Sequence, residues 1–116
     1  MATVRISDLL LRAIIGTNDW ERKKKQDLVI NIAFDYNSTR ASKTDCLAYT
    51  VDYRSLTKRI TNEVESSQCF LLETLVEFVM QMVMSDPKVK SATVRIDKPH
   101  ALRFARSVSL ELTRKR

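Results

Sequence analysis

The sequence contains few of the residues that interrupt compact structure. It has one glycine, Gly16, and two prolines among 116 residues, which leaves no room for a glycine-rich or proline-rich linker. It also shows no low-complexity segment and no internal repeat. A chain of this length is expected to form one domain, here residues 1–116.

Residues that bind metals or form disulfides are equally scarce. There are two cysteines, Cys46 and Cys69, and one histidine, His100. The cysteines form no CxxC pair, and the histidine cannot complete a zinc site with them at any usual spacing. We therefore expect free thiols in a reducing compartment, no metal and no cofactor.

Long apolar segments are absent as well. No run reaches the roughly 18 apolar residues that a membrane-spanning helix requires. The first twelve residues lack the basic-then-apolar layout of a signal peptide. The sequence therefore predicts a cytoplasmic protein with no membrane partner.

Positive charge is in excess, with a net charge of +6. The basic residues are dispersed, apart from Arg22–Lys25 and the last three residues, and neither cluster contains aromatic residues for base stacking. The clusters are typical of a solvated turn and a frayed terminus, or of a surface that attracts phosphorylated metabolites. We expect no nucleic-acid partner, and a small nucleic-acid-binding module is kept only as a rival hypothesis.

Hydrophobic periodicity predicts the element order β-β-α-α-β-β. Strands are expected over Val4–Ile15, around Leu28–Phe34, around Ala92–Ile96 and around Val108–Leu112, with helices over Tyr53–Glu65 and Leu71–Met84. Asp52 is placed to cap the first helix. This order predicts an α+β fold in which two helices cover one face of a four-stranded antiparallel sheet. Uncovered sheet edges favour association into an oligomer.

Four short segments carry residues that could perform chemistry. They are Asp19–Glu21, Thr50–Tyr53, Leu71–Glu73 and Asp97–His100. Each also has a purely structural interpretation: a turn with a folded-back indole, a helix cap, a carboxylate at a helix N-terminus, and a surface lysine. No single segment decides between the two interpretations.

Taken together and in this order, the segments resemble the dihydroneopterin aldolase family, which includes the dihydroneopterin triphosphate 2′-epimerases. The matching pieces are IGTNDWER, Gln26 with the apolar strand after it, DCLAYTVDY, FLLETL and VRIDKPHALRFARSVSLEL. The resemblance extends from about Ile6 to Leu112. It implies a tunnelling fold (T-fold), tetrameric rings that commonly stack into octamers, and pterin sites between neighbouring subunits.

The resemblance also implies roles for individual residues. Glu73 matches the glutamate that anchors the pterin, and Leu72 supplies backbone contacts beside it. Tyr53 matches the active-site tyrosine, and Asp52 precedes it in the same substrate-binding segment. The matched residues that would act in catalysis are Lys98, which transfers a proton, together with Tyr53 and Glu21, which contacts the substrate side chain.

The implied reaction is retro-aldol cleavage of 7,8-dihydroneopterin into 6-hydroxymethyl-7,8-dihydropterin and glycolaldehyde, on the path to folate. No cofactor is needed because the C=N bond of the dihydropterin ring can take up the electrons. Adding glycolaldehyde back to the other face would epimerise C2′. The segment DKPHALRFARSVS resembles the epimerases, whereas IGTNDWER resembles the aldolases. The leading hypothesis is an aldolase, and the alternative is a triphosphate epimerase that uses Arg103 or the Arg22–Lys25 cluster for phosphate.

Overall fold

The computed structural model describes all of residues 1–116 and contains one sheet and four α-helices. The strand order is β3-β1-β2-β4-β5, and every pairing is antiparallel except that between β3 and β1. The elements are β1 (Ala2–Ile15), α1 (Asp19–Lys23), β2 (Gln26–Tyr36), α2 (Thr39–Thr44), α3 (Tyr53–Glu65), β3 (Gln68–Cys69), α4 (Leu72–Met84), β4 (Val89–Pro99) and β5 (Ser107–Lys115), with a 3-10 turn at Leu47–Tyr49. The predicted α+β fold is confirmed.

The core lies on the one face of the sheet that the alternating apolar residues form. In β2, the side chains of Leu28, Ile30, Ile32 and Phe34 are all almost completely buried. Their neighbours in sequence point to the other face, because successive side chains of a strand alternate. The period of two in the sequence therefore fixed which face of the sheet became the core.

Helices α3 and α4 cover this apolar face, as predicted. The Asp52 carboxylate accepts a hydrogen bond from the backbone N–H of Ser55 at 3.1 Å, so it caps α3. Helix α4 buries Leu75 and Val79 completely, and each such side chain contributes about 1.5–3 kcal/mol through burial. None of the helices is long and apolar enough to cross a membrane.

Besides the 3-10 turn, the structure adds one short strand and two short helices to the predicted order. Strand β3 makes the sheet five-stranded where four strands were predicted, and it pairs parallel with Ile14 and Ile15 at the end of β1. Helix α1 forms in the predicted turn, and helix α2 forms in the polar segment that was predicted to be irregular. Elements of two to six residues are too short to produce a detectable hydrophobic period, so tertiary contacts decide whether they form.

Candidate active site

The turn after β1 is built around the only glycine of the chain. Gly16 has a φ of +124°, which side chains of L-residues rarely tolerate. A Cβ atom added there would lie 2.2 Å from Cδ of Glu21. Glycine is therefore required both by the backbone and by the close approach of the Glu21 carboxylate.

Glu21, in α1, points inward and is only 4% exposed. One carboxylate oxygen accepts hydrogen bonds from the backbone N–H and the side-chain amide of Asn18, at 3.2 and 2.9 Å. The other oxygen accepts from Nζ of Lys98 and from Nε2 of Gln26, the latter at 3.1 Å. Burial opposes ionisation, but these donors outweigh it and hold the pKa of Glu21 at about 2. The carboxylate is therefore ionised at neutral pH.

Lys98 reaches this carboxylate from the end of β4. It follows Ala92, Val94 and Ile96 at intervals of two, so it points to the same face as the core. Its side chain is 13% exposed and forms an ion pair with Glu21. Its place in the ladder is fixed by pairing with Val108 in β5. The ion pair thus has one edge open to solvent.

Arg22 connects α1 to the segment around β3. Its guanidinium donates hydrogen bonds to the carbonyl oxygens of Gly16 and Cys69, both at 3.0 Å, and to that of Gln68 at 2.7 Å. The same group stacks over the ring of Phe70, 4.0 Å from its centroid. Arg22 therefore joins the turn after β1 to the residues that precede α4.

A cleft of about 230 Å³ opens between these parts of the chain. The side walls are formed by the Glu21–Lys98 pair and by Leu72 and Glu73 in the first turn of α4. Leu71, the cap residue of α4, makes no side-chain cap, so the first backbone N–H groups of the helix lack an internal acceptor. The remaining lining residues are Ile15, Gly16, Thr17, Phe70, Leu71, Ala101 and Val108.

The structure therefore brings four of the predicted site residues together, namely Glu21, Leu72, Glu73 and Lys98. Glu73 is exposed in the cleft, and its charge is favourably placed at a helix N-terminus. Both oxygens of Glu21 already accept protein donors, a geometry suited to holding Lys98 in place. Direct contact between Glu21 and a substrate stays a prediction.

Asp52 and Tyr53 do not line this cleft. They follow Thr50, which hydrogen-bonds the Tyr36 hydroxyl at the end of β2, whereas Gln26 beside Glu21 begins that strand. A strand of this length spans about 30 Å. Tyr53 is more than half exposed. Within one folded chain it lies near the opposite end of β2 from Lys98.

Some structural features of the site were missed from the sequence. The indole of Trp20 does not fold back on the sheet but is 61% exposed. Gln26 was assigned no contact from the sequence, and Arg22 was considered only as part of a cluster that could bind phosphate, since polar side chains give no periodic signal. The pair Asn18 and Glu21 did carry a usable signal, because an N-cap residue followed three positions later by Glu is typical of a helix start.

Comparisons with known proteins agree on one family. The family model described as FolB, dihydroneopterin aldolase, matches residues 4–113. A dihydroneopterin triphosphate 2′-epimerase from Pseudomonas aeruginosa is 41% identical over 97% of this chain and 91% of its own. A dihydroneopterin aldolase from Haemophilus influenzae is 30% identical over 98% and 97%.

A solved structure shows the same fold. The dihydroneopterin aldolase of Escherichia coli in complex with neopterin superposes with a TM-score of 0.92 at 26% identity, covering 98% of this chain and 99% of that one. The match covers nearly the whole chain, so it is not confined to the sheet. The chain therefore belongs to the dihydroneopterin aldolase family.

Proposed function

We propose that this protein cleaves 7,8-dihydroneopterin by a retro-aldol reaction, giving 6-hydroxymethyl-7,8-dihydropterin and glycolaldehyde. The observation that carries the proposal is the cleft itself. It places a free carboxylate, Glu73, opposite an ion-paired lysine, Lys98, within one small volume. Family membership makes a dihydropterin the substrate that these two groups would recognise.

Glu73 is the proposed anchor for the pterin ring. A carboxylate can accept two parallel hydrogen bonds from the 2-amino and N3 positions of a pterin. The unpaired N–H groups at the start of α4 can donate to a ring acceptor beside it. Leu72 provides such a backbone contact and an apolar surface for the ring.

Lys98 is the proposed proton-transfer group. When a base removes the proton of the 2′-hydroxyl, the C1′–C2′ bond breaks and glycolaldehyde leaves. The electron pair moves into the C=N bond of the ring, and the ring nitrogen takes up a proton. When the side-chain carbon that remains is then protonated, the nitrogen gives up its proton and the C=N bond re-forms. Hydrogen bonding to Glu21 fixes the Lys98 ammonium at the cleft edge, as a proton carrier requires.

Tyr53 is proposed to enter the site from a neighbouring copy of the chain. Within one folded chain, Tyr53 lies near the opposite end of the sheet from Lys98, so a single copy does not supply both residues to one cleft. The outer edge of β1 is paired only at Ile14 and Ile15, and β5 has no strand on its outer edge. Pairing these two edges would join copies into a closed ring. The tetramer or octamer and the cytoplasmic location both stay predictions.

The test is product analysis with purified protein and 7,8-dihydroneopterin. Chromatography should resolve 6-hydroxymethyl-7,8-dihydropterin, and glycolaldehyde should accumulate in equal amount. Lys98→Ala, prepared and assayed in parallel, should form neither product at a comparable rate. A wild-type protein that binds the substrate but releases no glycolaldehyde would refute the aldolase assignment.

Epimerisation of dihydroneopterin triphosphate at C2′ is the second candidate. The observation favouring it is that relatives named as epimerases are 41% and 38% identical to this chain, against 30% and 26% for two named as aldolases. Both reactions share the cleavage step, and the epimerase re-forms the bond on the other face. Formation of the 2′-epimer from the triphosphate, with no hydroxymethyl product from the free triol, would establish this candidate instead.

A further inference from the structure

A second cavity, of about 460 Å³, lies on the face of the sheet that the helices leave uncovered. Its floor is a row of side chains across three strands, because Leu10 pairs with Val29 and Val29 pairs with Asp97. Lys98, the next residue along β4, points to the opposite face, since successive side chains of a strand alternate. The sheet itself therefore separates this cavity from the cleft that Lys98 lines.

Two residues with an unusual backbone conformation border the cavity. Asp8 has a φ of +55° and His100 a φ of +60°, in the left-handed region that residues other than glycine seldom adopt. Asp8 lies in a bulge of β1, where the register with β2 shifts between Ile6 and Leu9. Its N–H donates to Oδ1 of Asn31 at 2.9 Å. A bulge changes the direction of a side chain, and this one brings the Asp8 carboxylate to the cavity.

One ion pair on the cavity floor is complete without a ligand. Nε of Arg95 lies 3.0 Å from one carboxylate oxygen of Asp97. The other oxygen of Asp97 accepts a hydrogen bond from the Ser107 hydroxyl at 2.8 Å. The charges of Arg95 and Asp97 therefore compensate each other.

Asp8 and Arg106 are the opposite charges of the cavity that stay uncompensated. Both line it, and neither belongs to any ion pair of the chain. Asp8 is in β1 and Arg106 directly precedes β5, so β2 and β4 lie between them. Three strand spacings put their backbones about 14 Å apart. The cavity therefore has an acidic end and a basic end that are too far apart to neutralise each other.

The surface between these two ends includes apolar side chains. Leu10, Val29 and Pro99 all line the cavity, and Leu10 is 63% exposed. Removing such apolar surface from water is favourable. A ligand that complements the whole cavity therefore needs an apolar middle as well as two charged ends.

We propose that this cavity is a second binding site, for a small zwitterion that carries an ammonium group and a carboxylate at opposite ends of an apolar stem. The Asp8 carboxylate binds the ammonium group, and the planar fork of Arg106 binds the carboxylate through paired hydrogen bonds. An ω-amino acid has this layout, whereas an α-amino acid carries both charged groups on one carbon. The inference does not depend on the proposed function, because the cavity and the cleft lie on opposite faces of the sheet.

The first test is titration calorimetry of the intact protein with 6-aminohexanoate. Wild type should bind it saturably. Hexanoate, hexylamine and the isomer L-2-aminohexanoate should each bind at least about tenfold more weakly, because each loses a charge-assisted contact at one end. The absence of saturable 6-aminohexanoate binding would overturn the inference, and so would equal affinity for any of the three analogues.

The second test locates the ligand with matched variants. Arg106→Met and Asp8→Asn should each weaken 6-aminohexanoate binding at least about tenfold. Asparagine tolerates the left-handed conformation and keeps an oxygen to accept from Asn31, so Asp8→Asn removes the charge and retains the bulge. Arg103→Met removes the same charge as Arg106→Met from the same loop but outside the cavity, and it should bind like wild type.

Glu73→Gln, which alters the cleft on the other face, should also bind 6-aminohexanoate like wild type. A loss of affinity in that variant would place the ligand in the cleft and overturn the inference. Wild-type affinity in Arg106→Met or Asp8→Asn would overturn it as well, and so would an equal loss in Arg103→Met and Arg106→Met.

Discussion

At the residue scale, the conformation of Gly16 controls the placement of the Glu21 carboxylate. We expect Gly16→Ala to destabilise the protein by at least about 1–2 kcal/mol, because the backbone would be forced into a region that a Cβ disfavours. The new methyl group would also displace the carboxylate, whose Cδ would lie only 2.2 Å away. Thermal or denaturant unfolding measures the loss, and Thr17→Ala, at the next and exposed position, should unfold like wild type.

Glu21 also gives the protein a defined response to acid. Its pKa is about 2 in the folded chain, against the ordinary glutamate value of 4.5, so the unfolded chain binds the proton more readily. The stabilisation is complete above pH 4.5 and is lost as pH falls toward 2. Glu21→Gln should therefore show a weaker loss of stability across this window than wild type does. Denaturant unfolding at a series of pH values is the measurement, and parallel curves for the two proteins would contradict the predicted linkage.

Lys98 and Glu73 are expected to affect different kinetic constants. Lys98→Ala should lower kcat at least about 100-fold while leaving pterin affinity nearly unchanged, since it removes a proton carrier. Glu73→Gln should weaken pterin binding by about 2 kcal/mol, since it removes a charged acceptor. Steady-state kinetics together with equilibrium titration separate the two effects. The assignments fail if Lys98→Ala turns over near the wild-type rate or if Glu73→Gln binds with wild-type affinity.

At the scale of secondary-structure elements, the site depends on how α1 is attached to the start of α4. The Arg22 guanidinium holds the carbonyls of Gly16, Gln68 and Cys69 together and lies on Phe70. The turn that carries Glu21 and the segment that carries Glu73 therefore keep a fixed separation. This separation is the width of the cleft.

Arg22→Met keeps much of the apolar stem and removes every one of these hydrogen bonds. We expect the KM for dihydroneopterin to rise several-fold, because the turn that carries Glu21 is no longer tied to the segment that carries Glu73. The change in kcat should be smaller, because the ion pair between Lys98 and Glu21 remains. Stability should fall by about 1–3 kcal/mol. Lys23→Met, at the adjacent exposed position, removes the same charge and should leave both quantities unchanged. An Arg22→Met enzyme with wild-type KM would show that the cleft is held open by other contacts.

At the scale of the whole molecule, the separation of Tyr53 from Lys98 predicts that two copies share each site. Light scattering should give a mass several times the 13.4 kDa of the chain. Tyr53→Phe and Lys98→Ala should each be nearly inactive alone. Unfolding the two variants together and refolding them should restore part of the activity, because some interfaces then combine an intact Tyr53 with an intact Lys98. A mixture as inactive as its components would refute a shared site.

The control for this experiment is a chain that carries both substitutions. Refolding the double variant by itself should restore nothing. Refolding it together with wild type should lower the activity by more than simple dilution, because wild-type residues then share sites with substituted partners. If the wild-type protein were fully active as a monomer, the shared site would be excluded. In that case Tyr53 would have no role in the reaction.

The sequence determined the regular part of the fold. The period of two in β2 and β4 and the helical period in α3 and α4 placed the core residues correctly, since each period assigns a residue to one face. Asp52 was identified as a cap from its side-chain chemistry and position alone. The segments of the candidate site were also found from the sequence, through their joint resemblance to one family.

Only the tertiary structure determined how those segments meet. It brought Glu21 and Lys98, which are far apart in the sequence, into an ion pair, and it placed the Arg22 guanidinium where it donates to backbone carbonyls. No local sequence pattern encodes either contact. It also added β3, whose two residues form a strand only because the end of β1 lies beside them. Periodicity reports the face on which a side chain lies, whereas the partner of a polar side chain depends on which elements pack together. For this reason the sequence indicated the residues of the cleft, and the fold decided which of them one chain can assemble.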